Sequence, residues 1–147
     1  MLNRRAFLRT SVIWACAATL LAGCGDGDST AEPPVGDDRP GVVVVEPAEA
    51  DAVIDEGDPD LVVLDVRTPE EFAEAHLADA ILIDIYEPDF ADRIAELDRS
   101  VPYVLYCRSG NRSEEARNLM AELGFEEVYD VAGGIVGWTE AGLSVVT

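Results

Sequence analysis

The amino-acid sequence predicts a single-domain α/β fold in which a mainly parallel, five-stranded sheet carries helices on both faces. Short apolar runs alternate with helical stretches along residues 41–147, an order typical of parallel sheets whose connecting helices cover both faces. The first two of these runs are continuously apolar, as expected for buried strands. The chain has 147 residues, which is room for one such domain.

The first half of the domain predicts two strands and two helices. Residues 42–45 are four consecutive valines, a continuous β-branched run typical of a buried strand. Pro47 suits the first turn of a helix that we expect to end at about residue 56, before a Gly-Asp-Pro break. Residues 61–64 form the second strand. Thr68 then provides an N-cap, followed by a proline and two acids in the first turn of a short helix.

Three more strands and three more helices follow. The predicted strands are 81–83, 103–106 and 128–129, and the predicted helices are 89–97, 113–123 and 135–141. The helix at 113–123 carries apolar residues at helical spacing and is closed by Gly124. Ligands bind beyond the carboxyl ends of strands in such sheets, so the loop after residue 106 is the first candidate for a functional site.

The first 23 residues predict an export signal. A cationic start precedes an apolar run at 12–22, which is shorter than the ~20 residues that span a bilayer and has the length of a signal-peptide core. Residues 3–9, Asn-Arg-Arg-Ala-Phe-Leu-Arg, resemble a twin-arginine signal, and residues 21–24, Leu-Ala-Gly-Cys, resemble a bacterial lipobox. The lipobox implies cleavage before Cys24 and lipidation of its thiol. Export by the Sec route and an uncleaved N-terminal anchor helix remain alternatives.

The chain accordingly divides into three parts. Residues 1–23 are the signal peptide, residues 24–40 hold the lipidated Cys24 and a flexible acidic linker rich in Gly, Pro and Asp, and residues 41–147 are the folded domain. We expect the lipid to anchor this lipoprotein to the cell membrane on its extracytoplasmic face, in the periplasm or at the cell surface.

The composition excludes some classes of function. The net charge is -20, with 30 acidic residues against ten basic ones, and nucleic-acid binding needs basic clusters. The three cysteines, Cys16, Cys24 and Cys107, lack the regular spacing of a disulfide framework or a zinc site. We therefore expect an acidic protein without nucleic-acid partner, metal or cofactor.

Cys107 ends the fourth predicted strand, and the loop after it has the features of a thiolate site. The segment continues with Arg108, Ser109, Gly110, Asn111 and Arg112, and Ser113 is expected to open the next helix. Free N–H groups at a helix start attract anions. Together with nearby arginines, they should lower the pKa of Cys107. The alternative is a buried thiol that acts as a small hydrophobic side chain.

This loop resembles the active-site loop of single-domain rhodaneses. Residues 64–72, Leu-Asp-Val-Arg-Thr-Pro-Glu-Glu-Phe, resemble the first motif of the same family, and residues 131–138, Val-Ala-Gly-Gly-Ile-Val-Gly-Trp, resemble its last. The three motifs occur in the family's order, and the resemblance extends over essentially the whole of 41–147. It implies a rhodanese-like fold and a transferase activity of the thiosulfate sulfurtransferase type.

The resemblance also implies a mechanism and a set of site residues. Cys107 would be the catalytic nucleophile, carrying sulfane sulfur as a persulfide from a small anionic donor such as thiosulfate to a thiol or cyanide acceptor. Arg112 would bind the donor and brace the loop, with Glu71 as a guessed partner. Donor binding is assigned to Arg108, Ser109, Gly110, Asn111, Arg112 and Ser113, and a supporting role to Asp65 and Arg67.

One stretch departs from the family pattern. The usual Gly-His-Ile-Pro-Gly-Ala is here Ala-His-Leu-Ala-Asp-Ala at 75–80, which places the local backbone shape in doubt. His76 is expected to be structural because a low-pKa thiolate needs no general base. Trp138 is expected to pack in the core, with a position at the pocket mouth as the alternative.

Two rival functions stay open. A phosphatase or arsenate reductase would have five residues between its cysteine and arginine, whereas four separate Cys107 from Arg112. A non-enzymatic persulfide carrier or partner-binding module at the membrane surface would use the same thiol, and only its kinetics would differ.

Overall fold

The computed structural model of the protein describes residues 41–147, in which five strands alternate with five helices. In chain order these are β1 (Val42–Val45), α1 (Pro47–Asp55), β2 (Val62–Asp65), α2 (Pro69–Glu74), β3 (Ile81–Leu82), α3 (Phe90–Ala95), β4 (Tyr103–Tyr106), α4 (Asn111–Leu123), β5 (Val128–Val131) and α5 (Gly134–Glu140). The expected signal peptide, Cys24 and the linker to residue 40 lie outside the described residues. Within residues 41–147, no helix is both long enough and apolar enough to cross a bilayer.

The five strands form one sheet in the order β1-β5-β4-β2-β3. Every neighbouring pair is parallel, so the expected five-stranded, mainly parallel sheet is confirmed and is in fact wholly parallel. β4 is the central strand, and its four residues are all buried. The carboxyl end of this strand is the start of the Cys107 loop.

Helices cover both faces of the sheet, as predicted. Side chains alternate across a strand, so Leu105 of β4 faces one core and Val104 faces the other. The first core lies under α3 and α4 and includes Ile94 and Met120. The second lies under α1 and α5 and includes Trp138. The loop that begins at Cys107 therefore follows a strand that is packed against a hydrophobic core on each face.

Helix termini follow the local sequence closely. Thr68 caps α2, since its hydroxyl accepts a hydrogen bond from the backbone N–H of Glu71, whose carboxylate accepts from the N–H of Thr68. Gly124 ends α4 with φ 81°, the left-handed conformation that favours glycine at a helix end. Both signals were readable from residue type and spacing alone.

Several element boundaries differ by one or two residues from the sequence-based expectation, and two of these differences lie near the Cys107 loop or in its neighbouring strand. α4 begins at Asn111 instead of Ser113, because Gly110 adopts φ 104° and its carbonyl accepts from the N–H of Glu114. β5 runs to Val131, two residues beyond the expected end, because it pairs with β1 over that whole length. Asn111 and Arg112 therefore belong to the first turn of a helix and not to a loop.

The stretch that departs from the family pattern keeps an ordered backbone. Asp79 has φ 58° and is the only described residue other than glycine in the left-handed region, which aspartate tolerates better than most residues. The His76 ring stacks on Phe72 with centroids 3.9 Å apart, and its Nδ1 lies 2.9 Å from the Phe72 carbonyl oxygen. The backbone of His76 also pairs with Val146. These contacts give His76 a structural role.

Candidate active site

The Cys107 side chain lies at the carboxyl end of the central strand and is 1% exposed. The chain curls through Arg108, Ser109 and Gly110 before α4 begins, so the sulfur lies beside the first turn of that helix. The N–H of Gly110 donates a hydrogen bond to the sulfur at 3.1 Å. The predicted site thus contains a sulfur held by backbone donors.

The environment of the sulfur favours a thiolate. Burial by itself raises the pKa of Cys107, but hydrogen bonds from the Ser113 hydroxyl and from the N–H groups of Ser113, Gly110 and Ser109 outweigh it. The net pKa is lowered, which is the direction expected from the loop. A thiolate is the reactive form of cysteine, so this geometry prepares a nucleophile.

A pair of glycines fixes the other side of the loop. Gly134 has φ 57°, and a side-chain carbon placed there would lie 2.4 Å from the carbonyl oxygen of Cys107. This close approach lets the N–H of Ile135 donate to that oxygen at 2.9 Å and the N–H of Val136 donate to the Arg108 carbonyl at 3.1 Å. With both carbonyls engaged on this side, the loop N–H groups are free to turn toward the sulfur.

The sequence analysis did not predict these hydrogen bonds between the start of α5 and the Cys107 loop. The sequence analysis identifies the Gly-Gly pair only as part of a family motif, and it places the nearby Trp138 in the core or at the pocket mouth. The usable signal was the pair itself, since consecutive glycines commonly mark a close approach of two backbones. The α5 N-terminus is therefore part of the site.

The two arginines that flank the turn have different surroundings. Arg112 makes a two-point ion pair with Glu71, with Nη1–Oε2 and Nη2–Oε1 distances of 2.6 and 2.7 Å. This hydrogen bonding is the main cause that lowers the pKa of Glu71 to about 2. The guessed Glu71 partner is thus present, and the charge of Arg112 is largely neutralised by it.

Arg108 is exposed and has no ion-pair partner among the described residues. It borders a cavity of about 230 Å³, together with Arg67, Glu71, Glu74, Ala75, Ile135, Val136 and Thr139. Arg108 directly follows Cys107 in the chain, but Cys107 itself does not line this cavity. Arg108 is therefore the arginine whose charge is available to an anionic ligand.

Asp65 and Arg67 support the site from the end of β2. Both are buried, and the Arg67 guanidinium contacts the Asp65 carboxylate at 2.6 to 2.9 Å. The same guanidinium donates to the carbonyl of Ala75 at 2.6 Å and lies over the Tyr106 ring at 5.4 Å. The pair therefore ties the ends of β2 and β4 to the segment after α2, in agreement with a scaffolding role.

The remaining candidate residues differ in whether they lie at the sulfur, at the surface or in the core. The side chains of Ser109 and Asn111 are exposed, and only the Ser109 N–H is among the groups that stabilise the sulfur. Trp138 is 3% exposed and donates its indole N–H to the carbonyl of Ser144 at 2.9 Å, so it packs in the core as expected. Among residues 41–147, no His, Cys, Asp and Glu side chains cluster as a metal site would require.

Comparison with known proteins agrees with the fold and the motifs. The family model of the rhodanese-like domain matches residues 46–141. A sulfurtransferase of Allochromatium vinosum is 33% identical over 87 residues, covering 59% of this chain and 79% of that protein. The thiosulfate sulfurtransferase GlpE of Pseudomonas syringae is 35% identical over 94 residues, covering 64% of this chain and 84% of that protein.

A solved structure supports the same assignment. The rhodanese-related protein of Thermoplasma volcanium superposes with a TM-score of 0.61 and 33% identity, covering 70% of this chain and 96% of that one. A tRNA uridine(34) hydroxylase of Cytophaga hutchinsonii is 39% identical over 95 residues, but this region is only 30% of that protein. The relatives that match over most of their length support sulfur transfer as the general chemistry. This chain belongs to the rhodanese-like domain family.

Proposed function

We propose that the protein is a thiosulfate sulfurtransferase that carries sulfane sulfur on Cys107. The observation that carries the proposal is the cradle around the Cys107 sulfur, which is buried at the carboxyl end of β4 and accepts a hydrogen bond from the Gly110 N–H at 3.1 Å. Fixed donors of this kind stabilise negative charge without having to reorganise when it develops. They suit both a thiolate and the terminal sulfur of a persulfide.

The first half-reaction would load the thiol. The Cys107 thiolate attacks the outer sulfur of thiosulfate, a new S–S bond forms, and the S–S bond of thiosulfate breaks with its electron pair leaving on sulfite. Arg108 would attract the dianionic donor, since its guanidinium is exposed beside the cavity. Arg112 would act mainly by keeping α4 and the loop in place, since Glu71 already holds it.

The second half-reaction would transfer the sulfur from the Cys107 persulfide to an acceptor. A thiolate or cyanide attacks the terminal sulfur of the persulfide, and the Cys107 thiolate leaves with the electron pair of the broken S–S bond. Covalent catalysis of this kind divides one difficult transfer into two easier ones. The Gly110 N–H, 3.1 Å from the sulfur, would stabilise the thiolate at both ends of the cycle.

We also propose that the domain works at a membrane. The basis is the lipobox-like sequence at 21–24 and the twin-arginine-like sequence at 3–9, which would export the chain and attach a lipid at Cys24. Labelling of cells with an alkyne fatty acid tests this, with Cys24→Ala as control. Label on the wild-type chain that is absent from the variant supports the anchor, and an unlabelled wild-type chain contradicts it.

A persulfide carrier is the second candidate. One observation favours it: Arg112 is neutralised by Glu71, and among residues 41–147 Arg108 is the one arginine at the cavity without an ion-pair partner to offer a dianionic donor. A protein partner could deliver persulfide sulfur without that requirement. Slow turnover of thiosulfate combined with fast sulfur exchange to a thiol partner would distinguish this function from the enzyme.

The experiment is a thiosulfate:cyanide sulfurtransferase assay of residues 25–147 beside Cys107→Ser. We expect activity in the unmutated protein and its loss in the variant, because serine at neutral pH offers no comparable nucleophile. If the unmutated protein is inactive although its thiol is confirmed as reduced, the thiosulfate sulfurtransferase is rejected and the persulfide carrier remains. Equal activity in both proteins would reject Cys107 as the sulfur carrier.

A further inference from the structure

The cavity that Arg108 borders contains charged groups of both signs and shares a wall with the Cys107 loop. Its volume of about 230 Å³ is below the roughly 300–1,000 Å³ of pockets that hold drug-sized ligands. The N–H of its wall residue Ile135 donates to the Cys107 carbonyl at 2.9 Å. The N–H of Val136, another wall residue, donates to the Arg108 carbonyl at 3.1 Å. The cavity therefore fits a small molecule that lies against the reactive loop.

Two of the four charged residues in this cavity are neutralised within the protein. Arg67 and Glu71 form the ion pairs described above. The other two, Arg108 and Glu74, are exposed and have no ion-pair partner among residues 41–147. The cavity thus offers one free positive charge and one free negative charge to a ligand.

The uncharged part of the wall suits a short aliphatic group beside a hydrogen-bond donor. Ala75, Ile135 and Val136 contribute apolar side chains. The Thr139 hydroxyl donates to the carbonyls of Ile135 and Val136 at 3.1 and 2.9 Å. Its one proton is therefore used, and its oxygen can only accept a hydrogen bond from a ligand. An ammonium group is such a donor.

Opposite free charges in one small cavity favour a zwitterion over a simple ion. An anion would be attracted by Arg108 and repelled by Glu74, and a cation would meet the reverse. A molecule with both an ammonium and a carboxylate group can pair with both residues. It also has no net charge, so the field of a chain with a net charge of -20 does not repel it.

We propose that this cavity binds the α-amino-acid group of the thiol that accepts sulfur from Cys107. Arg108 pairs with the carboxylate, and Glu74 pairs with the ammonium group, with Thr139 as a further acceptor. The inference rests on the proposed sulfur transfer and identifies the acceptor as a small amino-acid thiol such as cysteine. Arg108 follows Cys107 in the chain, with their Cα atoms about 3.8 Å apart, so its side chain links the loop to the cavity.

The transfer to this acceptor uses the second half-reaction described above. Because Cys107 does not line the cavity, the amino-acid group binds there while its thiol extends past Arg108 toward the persulfide. The acceptor thiolate forms an S–S bond with the terminal sulfur, and the bond to Cys107 breaks with its electron pair leaving on the Cys107 thiolate. The product is an amino-acid persulfide. Sulfite has left before the acceptor binds, so donor and acceptor can use Arg108 in turn.

The first test is the binding of analogues that have no thiol, followed by backbone NMR shifts of the isotope-labelled full chain. The probe is S-methyl-L-cysteine. S-methyl-β-mercaptopropionate lacks its ammonium group, and S-methylcysteamine lacks its carboxylate. We expect saturable shifts at Ala75, Val136 and Thr139, and about three- to tenfold weaker binding of either single-charge analogue. No shift at these residues, or equal affinity for the three compounds, would overturn the proposal.

Two variants test the two charges separately. Glu74→Gln should weaken the binding of S-methyl-L-cysteine about three- to tenfold but should not weaken that of S-methyl-β-mercaptopropionate. Arg108→Gln should weaken the binding of both carboxylate compounds but not that of S-methylcysteamine. Glu70→Gln is the matched control, because Glu70 is an exposed acid of the same helix outside the cavity. We expect it to change each affinity by less than about twofold. Equal weakening of all three compounds in Glu74→Gln would show a structural role only and would overturn the assignment.

The second test measures the acceptor step itself. The full chain is loaded with sulfur from thiosulfate, the mass of the Cys107 peptide verifies the loading, and the donor is removed. We expect cysteine, compared per thiolate, to remove the sulfur about three- to tenfold faster than β-mercaptopropionate or cysteamine. Glu74→Gln should abolish the advantage of cysteine over β-mercaptopropionate. Equal rates for the three thiols in the unmutated chain would overturn the acceptor role.

Failure of the proposed function gives a different result. A chain whose Cys107 gains no sulfur from thiosulfate contradicts the sulfurtransferase. The binding of S-methyl-L-cysteine needs no sulfur donor, so it still decides whether the cavity recognises an amino-acid group.

Discussion

The position of Gly134 shows how a single residue can shape the reactive loop. Its backbone approaches the Cys107 carbonyl so closely that a side-chain carbon would lie 2.4 Å from the oxygen. That contact lets the first N–H groups of α5 hold the loop carbonyls. The orientation of the donors around the sulfur thus depends on a residue that never touches it.

Gly134→Ala tests this dependence. We expect the variant to lose at least about tenfold in sulfur transfer and to react more slowly with iodoacetamide at neutral pH, because the loop must move and the pKa of Cys107 rises. Gly142→Ala is the matched control. Gly142 also has a positive φ, 79°, but no atom lies within 4 Å of an added carbon, so it measures backbone strain alone. Equal effects in both variants would show that the close approach of Gly134 to the Cys107 carbonyl is not the cause.

Asp79 gives a second prediction for a single residue. Aspartate is held at φ 58°, where glycine pays no steric penalty. Asp79→Gly should therefore leave the free energy of unfolding unchanged or raise it by up to about 1 kcal/mol, and activity should be unaffected. Urea unfolding of the two proteins measures the difference. A loss of more than about 1 kcal/mol would show that the Asp79 side chain itself stabilises this turn.

At the scale of elements, the contact between α2 and α4 positions the loop. The Glu71 carboxylate both completes the cap of α2 and holds the Arg112 guanidinium of α4. The side chains of Arg112 and Glu71 are 18% and 22% exposed, so solvent screens the pair only partly. One carboxylate therefore joins the starts of two helices.

Glu71→Gln should lower the free energy of unfolding by about 1–2 kcal/mol at neutral pH. The pKa of Glu71 is depressed to about 2 from an ordinary value of 4.5. Its contribution is therefore complete above about pH 4.5 and is lost as the pH falls toward 2. Urea unfolding at several pH values measures the difference between the variant and the wild type.

Glu70→Gln is the control for that series, because Glu70 is also an acid in the first turn of α2 but is exposed. We expect its effect to stay within about 0.5 kcal/mol. A difference between Glu71→Gln and wild type that persists unchanged to pH 2 would show that the ion pair is not its source.

The elements were largely predictable because their signals are local. The valine run of β1, the Thr68 cap and the Gly124 terminus each depend on neighbouring residues, and each lies at the predicted position. The expected burial of β1 was wrong in part, because β1 is an edge strand and its Val43 and Val44 are exposed. The start of α4 was misplaced because the left-handed Gly110 is set by the packing of the Cys107 loop. The Gly-Gly pair signals a close approach of two backbones, but no local pattern identifies the distant Cys107 carbonyl as its partner. The ion pair of Arg117 with Asp130 likewise joins residues that no local pattern brings together.

At the scale of the whole molecule, charge governs the approach of a substrate. The chain has a net charge of -20, whereas the cavity presents the exposed Arg108 and the buried Arg67. The field of the whole protein repels anions over a distance of about 10 Å at 0.1 M salt. An anionic donor must cross this field before it meets the arginine.

Two alkylating reagents of similar size test this directly. We expect the rate of Cys107 alkylation by anionic iodoacetate to rise about two- to fivefold from low to physiological ionic strength, while the rate with neutral iodoacetamide stays constant. Peptide-resolved mass spectrometry measures both. An iodoacetate rate that falls with added salt would mean that the arginines at the cavity dominate the field.

Acceptance of sulfane sulfur by Cys107 can be measured directly as the mass of its peptide after exposure to thiosulfate. We expect a gain of one sulfur atom at Cys107 that dithiothreitol removes, with no gain in Cys107→Ser. If a thiol confirmed as reduced gains no sulfur from thiosulfate or from a small persulfide, Cys107 is not a carrier of sulfane sulfur.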